Sequence, residues 1–228
     1  MNGAESLVHT LIGSGIDTCF ANPGTSEMHF VAALDRIPGI KCVLGLQENV
    51  VTGMADGYFR IAEKPASTLL HCGPGLANGL GNLHNTRRAR SGVVNIVGDQ
   101  ATFHRPYDAP LTADTESLSR SVSSWVRTSL SVADVGRDAA QAVQVAASPP
   151  GQVATLILPS DVSWEEGGLV GEALPKQISA AVDAMLIEEA AKILRGRDPA
   201  LILLSAGGVL SAGQQLAWDI ANETGADL

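Results

Sequence analysis

The sequence has 228 residues, 45% hydrophobic, 17% charged and 4% aromatic, which is enough apolar material for a packed core in one or two domains. Lys and Arg number 15 against 24 Asp and Glu, a formal charge of −9 that argues against nonspecific binding to nucleic acid or to an anionic membrane surface. No apolar run is long enough to span a bilayer, and the residues after Met1 lack a basic stretch followed by an apolar core, so neither a transmembrane helix nor a signal peptide is expected.

Leu7, Val8, Leu11 and Ile12 recur at helical spacing and predict a helix over 5–14, ended by Gly15. A short buried strand is expected over 18–21, then a turn at Asn22-Pro23-Gly24-Thr25. Thr25 or Ser26 would cap a helix running to Arg36, with Glu27 in its first turn. Strand 42–45, helix 47–62, strand 67–71, helix 76–87 and strand 93–98 follow. Residues 99–119 read as a long polar loop broken by Pro106 and Pro110, a length that usually marks a functional or mobile segment. A short strand at 125–128, a helix over 132–147 and a last strand over 153–158 complete the pattern.

Strands whose apolar runs do not alternate in polarity, with helices between them, predict an α/β fold: a parallel sheet flanked by helices on both faces. The first domain is expected over 1–165 and a linker over 166–183. Residues 184–228 would begin a second α/β domain, with a helix at 184–194, a strand at 200–204 and a helix at 212–223. That domain would be incomplete at Leu228. Cys19, Cys42 and Cys72 have no CxxC spacing and read as reduced, mostly buried thiols of a cytoplasmic protein. The five histidines show no metal-ligand spacing, so no metal site is expected in this chain.

In open parallel sheets ligands bind beyond the carboxyl ends of the strands. Three unusual segments leave strand ends here: Asn22-Pro23-Gly24-Thr25, Leu46-Gln47-Glu48-Asn49 and His71-Cys72-Gly73-Pro74-Gly75. Glu48 sits between Leu46 and Val50-Val51, on a surface that otherwise reads as buried. It is either a helix-capping carboxylate or a functional one. Gly73, Gly75, Gly79 and Gly81 open a helix without a GxGxxG or GxxxxGK[ST] fingerprint. They serve either close approach of the backbone to a flat ring or tight strand-to-helix packing. His71 closes an apolar strand, as a core histidine or as an acid or base. His104 lies with Asp108 in the long loop, and Arg87, Arg88 and Arg90 solvate a helix end.

Taken in order, NPGTSE, LQENVVTGMADGYFR, KPASTLLHCGPGLANGLGN, VVNIVGDQ and VATLILPSDV resemble the pyrimidine-binding domain of thiamine-diphosphate enzymes of the acetolactate synthase and benzoylformate decarboxylase group. That domain is flavodoxin-like, or Rossmann-like, in topology. The likeness runs from about residue 3 to residue 165, and 199–228 resembles the start of the family's middle domain. The resemblance implies thiamine diphosphate as cofactor, with Glu48 hydrogen-bonded to N1′ of its aminopyrimidine ring. Pro23, Gly24, Gly73 and Pro74 would lie along that ring, with Asn78 near it. His71 and Thr25 fall where the benzoylformate decarboxylase branch has a histidine and a serine facing substrate, while the Gly73-Pro74-Gly75 triplet resembles acetolactate synthases.

The implied substrate is a 2-oxo acid, and the implied reaction is decarboxylation or carboligation. A 2-hydroxyacyl-CoA lyase or oxalyl-CoA decarboxylase type of activity is the same-class alternative. A noncatalytic nucleotide-binding or association module is the different-class one. The family's Mg²⁺ and diphosphate site uses a GDG motif in a C-terminal domain, which Gly98-Asp99-Gln100 is not. The resemblance also admits FAD and implies a homodimer or homotetramer, with Gly53 and Gly57 allowing close helix approach at the interface. This chain alone is expected to be inactive.

Overall fold

The apolar runs fold as six parallel strands in the order β2-β1-β3-β4-β6-β5, where β1 is Thr18–Asn22, β2 Lys41–Leu44, β3 Ala66–Leu70, β4 Val93–Asp99, β5 Trp125–Thr128 and β6 Val153–Pro159. The computed structural model describes residues 1–228 and divides into two units, Met1–Gln177 and Ile178–Leu228. The central strands are buried on both faces, as the continuous apolar runs require. β2 is an edge, and its Cys42 and Leu44 are exposed.

The helices of the first unit are α1 (Gly3–Gly13), α2 (Met28–Arg36), α3 (Glu48–Ala62), α4 (Cys72–Ala89), α5 (Thr115–Arg120), α6 (Val135–Ala147) and α7 (Ser160–Trp164). Alternation along the strands supplies two cores. Cys19, Ala21, Val94, Ile96, Ala154 and Leu156 meet α1, α2 and α6 on one face. Phe20, Val93, Val97, Val153 and Ile157 meet α3 and α4 on the other. Fully buried side chains such as Leu69 and Ile96 each contribute about 1.5–3 kcal/mol relative to exposure. α1 begins in a reciprocal cap: the Asn2 side chain accepts from Glu5 N–H and the Glu5 carboxylate accepts from Asn2 N–H.

Several expectations need correction. Neither Thr25 nor Ser26 caps α2. Residues Thr25–Glu27 form a 3₁₀ turn instead, and the Glu27 carboxylate reaches back to the Gly24 N–H. The long loop contains a 3₁₀ turn at Arg105–Tyr107 and ends in α5, because Asp114 caps that helix by accepting from Ser117 N–H. Asp99 holds both ends of the loop: it is 2% exposed, pairs with Arg105 and accepts from Thr115 Oγ1. Thr102 is tied to Asp161 as well.

Residues 166–177 lie within the first unit, where Ser6 Oγ donates to Leu169 O at 2.5 Å and Gly171 N–H donates to Thr10 Oγ1 at 2.9 Å. Cys42 is exposed rather than buried. The second unit contains α8 (Ala184–Leu194) and α9 (Ser211–Thr224). The expected strand over 200–204 is reduced to a single bridge, Leu201 to Asp227, since within that unit only the backbone around Asp227 offers it a hydrogen-bonding partner.

Candidate active site

The strand order places β1, β3 and β4 side by side, and the connections leave β1 toward β2 on one side and β3 on the other. The reversal between β1 and β3 is the topological switch point, where the loops diverge and open a crevice. The segments that leave these strand ends build the site.

Glu48 is the first residue of α3, yet it does not cap the helix. The Gln47 side-chain oxygen accepts from Asn49 N–H at 2.7 Å and Val50 N–H at 3.2 Å. With those donors satisfied, the Glu48 carboxylate turns to α4 and accepts from Asn78 Nδ2 at 3.1 Å. Its other oxygen stands 3.2 Å from where a side chain on Gly75 would begin, a point only 3.3 Å from His71 Cβ. The absence of a side chain on Gly75 therefore lets the α4 backbone come close to both Glu48 and His71. Leu46 and Val50 were expected in a buried surface, but they are 89% and 52% exposed, and Glu48 itself is half-buried.

His71 is the N-terminal flanking residue of α4, and its ring lies against Gly24, where any Cβ would collide with it. His71 Nδ1 is 2.8 Å from Glu27 Oε2, and that oxygen also accepts from Gly24 N–H at 2.7 Å. Glu27 is 3% exposed. Its carboxylate occupies the space above Gly98 on β4, which a side chain there would fill. Cys72 is buried and donates to Ser26 Oγ at 3.3 Å. Burial, with the nearby charges of Glu27 and Asp99, pushes its thiol up to about 12. Glu27, His71 and Cys72 present atoms within 4.8 Å of one another, a cluster invisible to sequence spacing because Glu27 comes from the β1 end.

The remaining expected residues take different places. Asn22 Nδ2 donates to Gly45 O at 2.8 Å and ties the turn carrying Pro23 and Gly24 to the segment before Glu48. Thr25 is exposed at the start of its 3₁₀ turn, and Pro74 is exposed in the first turn of α4. Gly73 faces Ala113 of the loop after β4. Gly79 packs against Leu70 and Thr52, and Gly81 lies against Asn49. Gly53 is closed off by Asn82 of α4, which makes it a helix-packing glycine within the chain. His104 is exposed, its ring centroid 4.6 Å from that of Phe103. Sequence reasoning missed the buried contact of Glu27 with Gly98 and the capping of α3 by the exposed Gln47. The one available signal for Glu27 was an acid directly after a Gly-containing turn at a strand end.

Residues 1–118 match the family model described as thiamine pyrophosphate enzyme, N-terminal TPP binding domain. The chain is 52% identical over 228 residues to the Mycobacterium tuberculosis protein named "Putative acetolactate synthase large subunit IlvX", covering 99% of this chain and 43% of that one. It is 32% identical over 195 residues to benzoylformate decarboxylase of Pseudomonas aeruginosa, covering 83% of this chain and 36% of that one. The fold is that of the Rhodococcus jostii RHA1 thiamine diphosphate-dependent 4-hydroxybenzoylformate decarboxylase, with a TM-score of 0.84 at 24% identity over 99% of this chain and 43% of that one. The chain thus spans less than half the length of these relatives.

Proposed function

The chain belongs to the thiamine pyrophosphate enzymes, and from that membership we propose that its first unit holds the aminopyrimidine end of thiamine diphosphate in an enzyme acting on 2-oxo acids. The observation that carries this reading is the half-buried Glu48 carboxylate, freed from capping by Gln47, oriented by Asn78 and lying against the side-chain-free backbone of Gly75. An aminopyrimidine ring needs a carboxylate at one ring nitrogen and side-chain-free backbone along its face, and Glu48 beside Gly75 offers both.

When bound, the cofactor supplies the electron sink for loss of carbon dioxide or for carbon–carbon bond formation. Glu48 holds the proton shared with N1′ at a fixed oxygen, while Asn78 keeps the other oxygen in place. Gly75 offers side-chain-free backbone beside Glu48, Gly24 makes room for the His71 imidazole, and Pro23 and Pro74 are assigned as flanking contacts. His71 lies beside the same Gly75 backbone and is the chain's candidate for passing a proton to or from the substrate's carbonyl oxygen. Thr25 is assigned to the substrate side from the resemblance to the benzoylformate decarboxylase branch, and its exposure is compatible with that role. Gly73 is left out, because it serves packing against Ala113. The cation and diphosphate are assigned to a different domain of the enzyme, since no GDG motif occurs in this sequence.

The relatives that match are acetolactate synthases and a benzoylformate decarboxylase, which favours a 2-oxo acid over a CoA ester. Exposed Leu44, Leu46 and Val50 beside Glu48 support closure of the site by a second subunit. The test is carbon dioxide release from pyruvate and from benzoylformate by the enzyme containing this chain, with thiamine diphosphate and Mg²⁺. Cofactor-dependent release from either acid supports the reading and selects the branch, and no release from either contradicts it.

A further inference from the structure

We infer that Glu27 is the positioning residue for His71, fixing its imidazole with the proton on Nδ1 and leaving Nε2 as the only nitrogen that exchanges a proton with substrate. Glu27 is itself outside the set of groups that touch cofactor or substrate. The inference rests on the proposed role of His71, but the structural pair stands on its own observations.

The carboxylate is almost fully buried, and one of its oxygens lies at hydrogen-bonding distance from two groups, Gly24 N–H at 2.7 Å and His71 Nδ1 at 2.8 Å. An unprotonated Nδ1 would turn a lone pair toward that oxygen. A proton on Nδ1 turns the contact into a charge-assisted hydrogen bond instead, and the neutral ring then has a bare Nε2. The His71 side chain is 22% exposed while that of Glu27 is 1% exposed, so the pair has one sealed end and one end open to the crevice.

Two glycines on different elements make room for this arrangement. A side chain at Gly24 would strike the imidazole, and one at Gly98 would strike the Glu27 carboxylate. The 3₁₀ turn Thr25–Glu27 carries the acid from the β1 end across to β4, so the pair bridges three neighbouring strands. Packing on both members therefore prevents the ring from turning over and exchanging its nitrogens.

The chemical consequence is a single-ended proton carrier. With both nitrogens protonated, the ring gives its Nε2 proton to the substrate's carbonyl oxygen. The Nε2–H bond breaks, an O–H bond forms, and the ring becomes neutral with Nδ1–H still on Glu27. In the reverse direction Nε2 takes a proton, and the buried carboxylate stabilises the resulting cation.

The experiment uses the 228-residue chain labelled with ¹⁵N-histidine, without cofactor, and reads the imidazole tautomer by long-range proton–nitrogen correlation at about pH 9, where imidazoles are neutral. The signal is assigned by its loss in His71→Asn. We expect Nδ1–H to exceed Nε2–H by at least about tenfold, the preference a charge-assisted hydrogen bond provides. Glu27→Gln keeps the shape of the side chain and removes its charge. It should bring the ratio toward parity while the other four histidines keep their signals.

A wild-type His71 protonated on Nε2 overturns the inference without any variant. A ratio unchanged by Glu27→Gln overturns it as well. Neither result touches the cofactor reading, which rests on Glu48 and is measured by turnover.

Discussion

The distinction between Glu27 and Glu48 is one of surroundings. Both follow strand ends, yet Glu27 is sealed against Gly98, whereas Glu48 stays half-buried with one oxygen facing the Gly75 backbone. A side chain at position 98 would have to displace a buried carboxylate. Gly98→Ala is expected to destabilise the first unit by about 1–3 kcal/mol, read from the shift in urea midpoint at unchanged slope.

The three thiols differ just as clearly. Cys42 is brought down to about 7 by the neighbouring thiol of Cys19, its register partner on β1, while Cys72 is pushed up to about 12 by burial. At pH 7 only Cys42 combines exposure with a substantial thiolate fraction. Mass spectrometry after brief iodoacetamide treatment should find Cys42 modified first and Cys72 last. Cys19→Ala should slow the reaction of Cys42 at pH 7, because it removes the neighbouring thiol that favours the thiolate.

At the scale of elements, the strands were legible because continuous apolar runs can only be covered on both faces, whereas helix starts were less so: α4 begins at Cys72 rather than at 76, and α2 begins without the cap expected from Thr25 or Ser26. The errors have identifiable physical sources. A five-residue apolar run at 200–204 carries the composition of a strand, but strand formation needs partners that composition does not supply. Of the two readings open for Glu48, capping fails because Gln47 reaches both amides instead. Glu27 was legible as an acid near a turn, but its burial depends on Gly98, far along the chain, and no local pattern encodes that contact. His71 and the three converging turns were legible, since strand ends in a parallel sheet all face one edge.

The loop after β4 tests the anchoring argument. Arg105→Ala removes the partner of buried Asp99 and leaves that carboxylate held by Gln100 N–H and Thr115 Oγ1. The expected result is faster proteolytic cleavage within 100–114, with a stability loss of about 1–3 kcal/mol for the stranded charge. Unchanged cleavage would show that Asp99 does not restrain the loop.

At the scale of the whole molecule, the site is a property of topology. The order β2-β1-β3-β4-β6-β5 opens a crevice where no helix crosses, and the chain places two glycine turns, a carboxylate and an imidazole there. The segments that carry Glu27, Glu48, His71 and the two glycine turns all lie within Met1–Gln177. Its apolar rim at Leu44, Leu46 and Val50 belongs to the surface beside Glu48. Leu46→Asp is therefore expected to weaken self-association at least about tenfold in sedimentation equilibrium, the loss of roughly one buried leucine's worth of contact. No change in association would place the subunit contact elsewhere.

The most direct measurement of the central claim is the exchange of the cofactor's C2 proton with deuterated solvent, followed by NMR in the enzyme containing this chain, for wild type and Glu48→Gln. The account predicts exchange accelerated well above that of free cofactor in the wild type. It predicts a fall of about 100-fold or more in Glu48→Gln, the usual contribution of a positioned acid–base group. Equal exchange in the two proteins would contradict the assignment of Glu48 as the activating carboxylate.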